Sequence, residues 1–348
     1  MTRTRLPIRT ALAIVVAALT LTACSSTKTG TPSSLGTTGS SSSRPASTSS
    51  SGSPSASASS TPIGKPVHIK LLEDDTYGPP TYGVGMPIVV YFSAKITEAR
   101  DFAKATTVTV NGQPNDGHWY FEASNIISGY PLEAHYRPAP AAGATNPYWP
   151  GHADIRMTMN TNGVSAGPGL TFNDSLSLHM QTGAAHLSSV NCTTERMIVT
   201  SDGKQVQNYP VSCGAAKTPT YTGVKVVMQK GEDAKGTNTL RPDGAVEMIG
   251  TGSDRYDLIV PWSVRITADG EYVHAASWNG GNIGVRSTSN GCTNLNTAAA
   301  EWFYKFALIG DVVTYAATGG TQMPAWDGFG DWNVPSAQWN TGGLVPTT

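Results

Sequence analysis

The sequence predicts a mainly β protein, with a β-sandwich over residues 65–184 and a second β-rich domain with one main helix over residues 185–318. Three observations carry this. From Lys65 onward the apolar residues fall in short β-branched runs bounded by Gly, Pro and Asn. An Asp-Gly dipeptide sits between two such runs, a signal for a two-residue hairpin. A single stretch, Asn296 to Gly310, combines good helix formers with a cap and a terminator.

In chain order, "MPIVVYFS" (86–93), "ATTVTVNGQ" (105–113), "HWYFEAS" (118–124) and "HADIRMTMNT" (152–161) read as strands. Several short strands separated by turn signals suggest a sandwich. This first domain has no cysteine, and its histidines, His68, His118, His135, His152 and His179, are scattered and read as structural or surface residues. In the second domain, "ERMIVTSDGKQVQNYPVS" forms a hairpin around Asp202-Gly203. If Ser201 and Lys204 close the turn, counting outward sets Cys192 opposite Cys213 at a non-hydrogen-bonded pair, where side chains lie closest. A bulge at Pro210 would shift that register by one. A Cys192–Cys213 disulfide is the expectation. No Cys-x-x-Cys pair or Cys/His cluster has ligand spacing, so neither metal nor cofactor is expected. The helix has Asn296 or Thr297 as N-cap, an apolar face of Trp302, Phe303, Phe306 and Ile309, and Gly310 as terminator. Residues 319–348 carry Trp326, Phe329, Trp332 and Trp339 and are expected to pack on the second domain.

The N-terminus reads as an export signal over residues 1–23: Arg3, Arg5 and Arg9 precede the apolar run Ala11–Ala23, which is too short to span a bilayer comfortably. It ends in "LTAC", which resembles the lipobox of bacterial lipoproteins and implies cleavage before Cys24 and lipidation of that residue. Residues 24–64 are nearly all Ser, Thr, Pro, Gly and Ala, a composition that cannot bury enough apolar surface to fold. Such a tether spans roughly 35 Å. The expected location is the cell envelope, anchored by lipid to the outer face of the plasma membrane. With 23 basic and 24 acidic residues, a net charge of −1 and no basic block, nucleic acid is excluded as a partner.

Of the four cysteines, one is assigned to lipid and two to a bridge, which leaves Cys292 in "STSNGCTNLN", just ahead of the helix. An unpaired thiol in an exported chain is either an inert core residue or a nucleophile. A nucleophilic thiol needs a base, and the only histidine after His186 is His274, in "GEYVHAASWNGG". Spacing alone leaves both readings open.

"HAASWNGGNIGVRSTSNGCTNLN" (274–296) resembles the signature of the L,D-transpeptidases, the YkuD-type catalytic domain, through His274, Gly284, Ser289, Gly291, Cys292 and Asn294. "SCGAAKTPT" (212–220) is similar to the family's Gly…Thr-Pro-Thr loop, and the closing segments are similar to those of mycobacterial members. The resemblance implies an Ig-like sandwich ahead of a YkuD-type β-sandwich. It also implies acyl transfer through a thioester, with Cys292 as nucleophile and His274 as base. The carbonyl of Ala275 would orient the imidazole, and the amides of Gly291 and Cys292 would face the oxyanion. Tyr256, Trp278, Ser289, Asn290 and Asn294 would line the substrate cleft, and Arg286 reads as a surface cation. The implied partners are peptidoglycan stem peptides: a tetrapeptide donor, which loses D-Ala, and an acceptor amine that completes a 3→3 cross-link. Carbapenem-type β-lactams would be inhibitors. Asn290 departs from the family, which has His there; Asn cannot carry a proton or a charge as imidazole does. The alternatives are a weakened wall-binding scaffold, or an L,D-carboxypeptidase with water as acceptor.

Overall fold

A computed structural model describes residues 64–73, 80–140, 142–231, 240–250 and 256–347. The export signal, Cys24 and the Ser/Thr/Pro tether lie outside the described residues. Among those described, no helix is long and apolar enough to cross a membrane. The chain is mainly β, a sandwich followed by a second β-rich domain with one main helix, as the sequence predicts.

The Ig-like part pairs two main sheets. One runs in the order Ile69–Leu71, Ile88–Phe92, Leu132–Arg137, His118–Ala123. The other is built around Asp154–Met159 and Leu176–Thr182. Asp154–Met159 alternates buried and exposed residues, so one of its faces meets water. Ile88–Phe92 and Leu132–Arg137 are buried at every position, so both of their faces are covered. One face carries Phe92, which meets Phe102, Phe121 and Phe172 with ring centroids 5.3–6.1 Å apart. This apolar cluster is what burial of β-branched and aromatic residues stabilises, at about 25 cal/mol per Å² removed from water.

The opposite face of that sheet is covered by the C-terminal tail, which differs from the expectation for residues 319–348. The tail starts on the second domain, where Asn333 accepts the Val224 amide (2.8 Å) and donates to the Val224 carbonyl (2.7 Å). It then leaves for the Ig-like sheet. Trp332 donates to the Gly85 carbonyl (2.8 Å), Trp339 to the His118 carbonyl (2.9 Å), and the Leu344 amide to Phe121 (2.9 Å). The cause is chemical complementarity. Arg137 on that face lies 4.7 Å from the ring centroids of both Trp332 and Trp339, and Tyr120 stacks on Trp339 at 4.8 Å. The tail therefore binds both domains.

In the second domain a five-stranded sheet runs Lys204–Pro210, Arg196–Ser201, His186–Asn191, Val312–Ala316, Gly223–Val226. A four-stranded sheet runs Gln229–Lys230, Val264–Arg265, Tyr272–Ala275, Thr293–Leu295. Asp202 and Gly203 both have positive φ (48° and 76°), as the Asp-Gly hairpin requires. The Cys192–Cys213 disulfide is present, with Cα atoms 5.8 Å apart. It does not arise from the counted register. The bulge falls between Val199 and Thr200 rather than at Pro210, and Cys192 lies beyond Asn191, in the turn that leads to Arg196. The pairing follows from the turn folding Cys192 back over the end of the hairpin. The main helix is Thr297–Phe306, with the Asn296 side chain accepting the Ala299 amide at 2.9 Å. It stops at Ala307, before Gly310, because Ala307 turns extended and the Leu308 amide donates instead to Asp311 at 2.7 Å. Ile309 is consequently outside the helix and 36% exposed.

Candidate active site

Tyr272–Ala275 and Thr293–Leu295 are parallel neighbours, with His274 opposite Asn294. Cys292 immediately precedes Thr293–Leu295, at the end of that strand that lies beside the start of Tyr272–Ala275. The 276–292 crossover between the strands is held from within by Asn279. Its amide donates to Thr288 Oγ1 (2.9 Å), and its carbonyl oxygen accepts from Asn282 (2.7 Å).

The turn bearing Cys292 is braced by the 212–220 loop. Cys213 O accepts the amides of Thr288 (2.9 Å) and Ser289 (3.0 Å), and Ala215 N donates to Ser289 O (2.8 Å). Thr218 Oγ1 donates to Ser289 O (3.0 Å), and Thr220 Oγ1 to Gly291 O (2.8 Å). The disulfide thus anchors the strip on which the nucleophile turn rests. Gly291 has φ 121°, a conformation that a side chain disfavours. Ser289 Oγ donates to the Cys292 carbonyl (2.5 Å) and accepts the Gly291 amide (3.2 Å), so in the resting state this amide is already engaged.

His274 is buried, and its Nδ1 lies 2.8 Å from the Ala275 carbonyl. A carbonyl only accepts, so Nδ1 carries the hydrogen and Nε2 presents its lone pair. Burial, offset in part by that hydrogen bond, lowers the imidazole pKa to about 4. The ring is therefore neutral at pH 7. Trp278, 57% exposed, stacks beside it with centroids 6.0 Å apart. Cys292 is half-buried as a residue, but protein encloses its sulfur. Burial pushes the thiol up to about 11; Glu271 adds to the rise, and Lys225 and a backbone hydrogen bond from Tyr272 oppose it. The thiol donates to Gly270 O at 3.8 Å. The resting pair is thus a neutral thiol and a neutral imidazole.

Burial raises the Tyr256 phenol above its ordinary range; nearby Cys292 adds to the rise and a hydrogen bond with the Asn290 side chain opposes it. Tyr256, Asn290 and Cys292 are thereby brought together. Asn294 contributes through its backbone, exchanging hydrogen bonds with Ser212 (2.9 and 3.1 Å), while its buried Oδ1 has no partner. Arg286 is exposed and tied to Asn282 (2.6 Å). The cation that acts on the thiol is Lys225 instead, fully buried, paired with Glu271 and 3.9 Å above the Tyr315 ring. Glu271 accepts the Tyr221 amide (2.8 Å) and lies behind Gly291, where a Cβ would come within 3.4 Å of its Oε1. Sequence reasoning missed this pair. Its one signal is a charge inside each of the apolar runs "GVKVV" and "GEYVHAA".

A lone thiol in the turn ahead of Thr293–Leu295 and a neutral imidazole on the neighbouring strand, oriented by a backbone carbonyl, are the residue types that nucleophilic thiol chemistry uses. Residues 187–314 match the L,D-transpeptidase catalytic domain, and residues 42–165 match a bacterial Ig domain. It is 28% identical over 260 residues to L,D-transpeptidase 2 of Mycobacterium tuberculosis (strain CDC 1551 / Oshkosh), covering 75% of this chain and 59% of that protein. A crystal structure of an L,D-transpeptidase from Mycobacterium tuberculosis H37Rv superposes with a TM-score of 0.51 at 26% identity, covering 71% of this chain and 96% of the other. The LD transpeptidase LdtMt1, in complex with imipenem, shares the fold with a TM-score of 0.54 at 21% identity, covering 71% and 97%.

Proposed function

We propose that this chain is an L,D-transpeptidase that forms 3→3 peptidoglycan cross-links through a Cys292 thioester. The observation that carries the reading is His274, held neutral with its Nε2 lone pair free, on the strand beside Cys292. The Cys292 thiol turns from Gly270 O toward His274 Nε2 and gives up its proton as sulfur attacks the carbonyl of the third donor residue. A thiol near 11 is a poor acid alone, so proton transfer accompanies attack rather than preceding it. The developing oxyanion draws on the Cys292 amide, and on the Gly291 amide once it releases Ser289 Oγ; one such donor is worth about 10²–10³ in rate. D-Ala leaves with the proton from His274. The acceptor amine then attacks the thioester, passing its proton to His274 and restoring the thiol. Tyr256, Asn290 and Trp278 line the approach. Asn290, bonded to Tyr256, orients but carries no proton.

Carbapenem-type β-lactams, which present a strained acyl carbonyl to the same thiol, are inhibitors in this reading. Lipidation at Cys24 anchors the protein to the outer face of the plasma membrane, with residues 25–64 as tether. A scaffold role rests on Asn290 alone. A carboxypeptidase would use the same residues with water as acceptor.

Incubating the full chain and its Cys292→Ala variant with tetrapeptide-stem muropeptides, followed by mass spectrometry, tests the reading. Cysteine-dependent loss of D-Ala with dimer formation is the expected result. D-Ala loss with monomers alone means a carboxypeptidase, and no D-Ala loss means a scaffold.

A further inference from the structure

The sheet face under the C-terminal tail gathers acidic groups around one imidazole. Glu122 and Glu133 are cross-strand partners, and His135 follows two residues after Glu133 on the same face. His135 Nε2 is buried and has no hydrogen-bond partner. It points between two carboxylates, 3.8 Å from Glu122 Oε1 and 3.7 Å from Glu133 Oε1, too far for a hydrogen bond. One ligand atom from each of the three residues lies within 4.8 Å of the others. An unpaired nitrogen aimed at two carboxylates deep in a domain is costly unless something bridges them.

We propose that Glu122, Glu133 and His135 form a zinc site, with Asp331 of the C-terminal tail as the carboxylate that orients the ligating histidine. Zinc takes nitrogen and carboxylate ligands at about 2.0–2.2 Å, which sets a tetrahedral edge of about 3.4 Å. The two nitrogen–oxygen separations need to contract by only a few tenths of an ångström, and the two carboxylate oxygens lie within 4.8 Å of each other. Calcium would need six to eight oxygen ligands, which three residues do not supply. The outer contacts are those a ligand set requires. Asp331 Oδ1 lies 2.7 Å from His135 Nδ1; the carboxylate accepts that N–H and leaves Nε2 as the ligating atom. Ser124 Oγ donates to Glu133 Oε2 at 2.7 Å and fixes the second carboxylate, leaving Oε1 for the metal. Glu122 is 14% exposed and gives a water and the ion a way in.

The Arg137 guanidinium does not take up these carboxylates: it spends its hydrogen bonds on the carbonyls of Asp331 and Val334 (3.2 and 2.9 Å). The consequence is structural: because Asp331 belongs to the tail, the ion would fasten the tail to the Ig-like sheet. This site is independent of the transpeptidase reading. It also reverses the sequence-based expectation of no metal, because the ligands come from two adjacent strands and not from a local motif.

The full chain, stripped by chelator, would be titrated with Zn²⁺ against a chromophoric competitor, beside Glu122→Gln, Asp331→Asn and Cys292→Ala. The proposal expects one tight zinc per chain, weakened at least tenfold by Glu122→Gln and about 10–100-fold by Asp331→Asn, and retained in Cys292→Ala. Absence of zinc binding would overturn it. So would binding that both carboxylate variants keep, or that Cys292→Ala abolishes.

Discussion

At the scale of single residues, the site is set by two opposed displacements from ordinary acidity. Burial holds the His274 imidazole at about 4 and the Cys292 thiol at about 11. No ion pair forms at neutral pH, so the thiolate fraction should keep rising with pH. Iodoacetamide alkylation of Cys292 is expected to accelerate about tenfold per pH unit through pH 7–10; a plateau below about pH 7 would indicate a preformed thiolate–imidazolium pair. Cys292, His274 and the Ala275 carbonyl were legible in the sequence because an odd cysteine, a lone histidine and a recognisable motif coincide there. Lys225 and Glu271 were not, because two charges in two apolar strands acquire meaning only when the sheets bring them together. His135 was illegible for the same reason: of its partners only Glu133 is near in sequence, while Glu122 is one strand away and Asp331 is 196 positions along the chain.

At the scale of elements, the nucleophile turn depends on the strip from Ser212 to Thr220, and that strip depends on the disulfide. The strand and helix types were readable from period and caps, whereas the hairpin register was not, because a bulge leaves no local signal in "QVQNYP". The bridge closes a loop with a sequence separation of 21. Its loss is expected to lower stability by ~3 kcal/mol on the chain-entropy account. Because Cys213 O receives both Thr288 and Ser289 amides, a Cys192→Ser/Cys213→Ser protein should also lose acylation rate, with kcat falling more than KM rises. Chemical denaturation and steady-state kinetics on the same preparation check both halves.

At the scale of the whole molecule, the tail ties the two domains through Asn333, Trp332 and Trp339, and the Ig-like part carries buried carboxyls beneath it. Burial raises Glu73 to about 8 and Glu122 to about 7. Both are deprotonated in the unfolded chain above about pH 5 but still hold protons when folded, so the folded state binds more protons and stability falls as pH rises. His274, depressed to about 4, contributes its full share above about pH 6.5 and does not alter the slope there. Asp331 and Glu133 outweigh burial and raise His135 well above its ordinary value, which adds to the same fall; metal-free protein should therefore lose at least about 2 kcal/mol of unfolding free energy between about pH 6.5 and pH 8, and Glu73→Gln should remove part of that decline in urea titrations.

The most direct test of the central claim is the covalent intermediate itself. Wild-type protein, Cys292→Ala and His274→Ala would each be mixed with a tetrapeptide donor lacking an acceptor, quenched in acid and weighed intact, with the modified peptide then mapped. The account predicts a mass gain equal to the donor less D-Ala on the peptide holding Cys292, absent in Cys292→Ala and formed about 10²–10⁴-fold more slowly in His274→Ala. An adduct on another residue, or one that forms unchanged without the His274 imidazole, would contradict it.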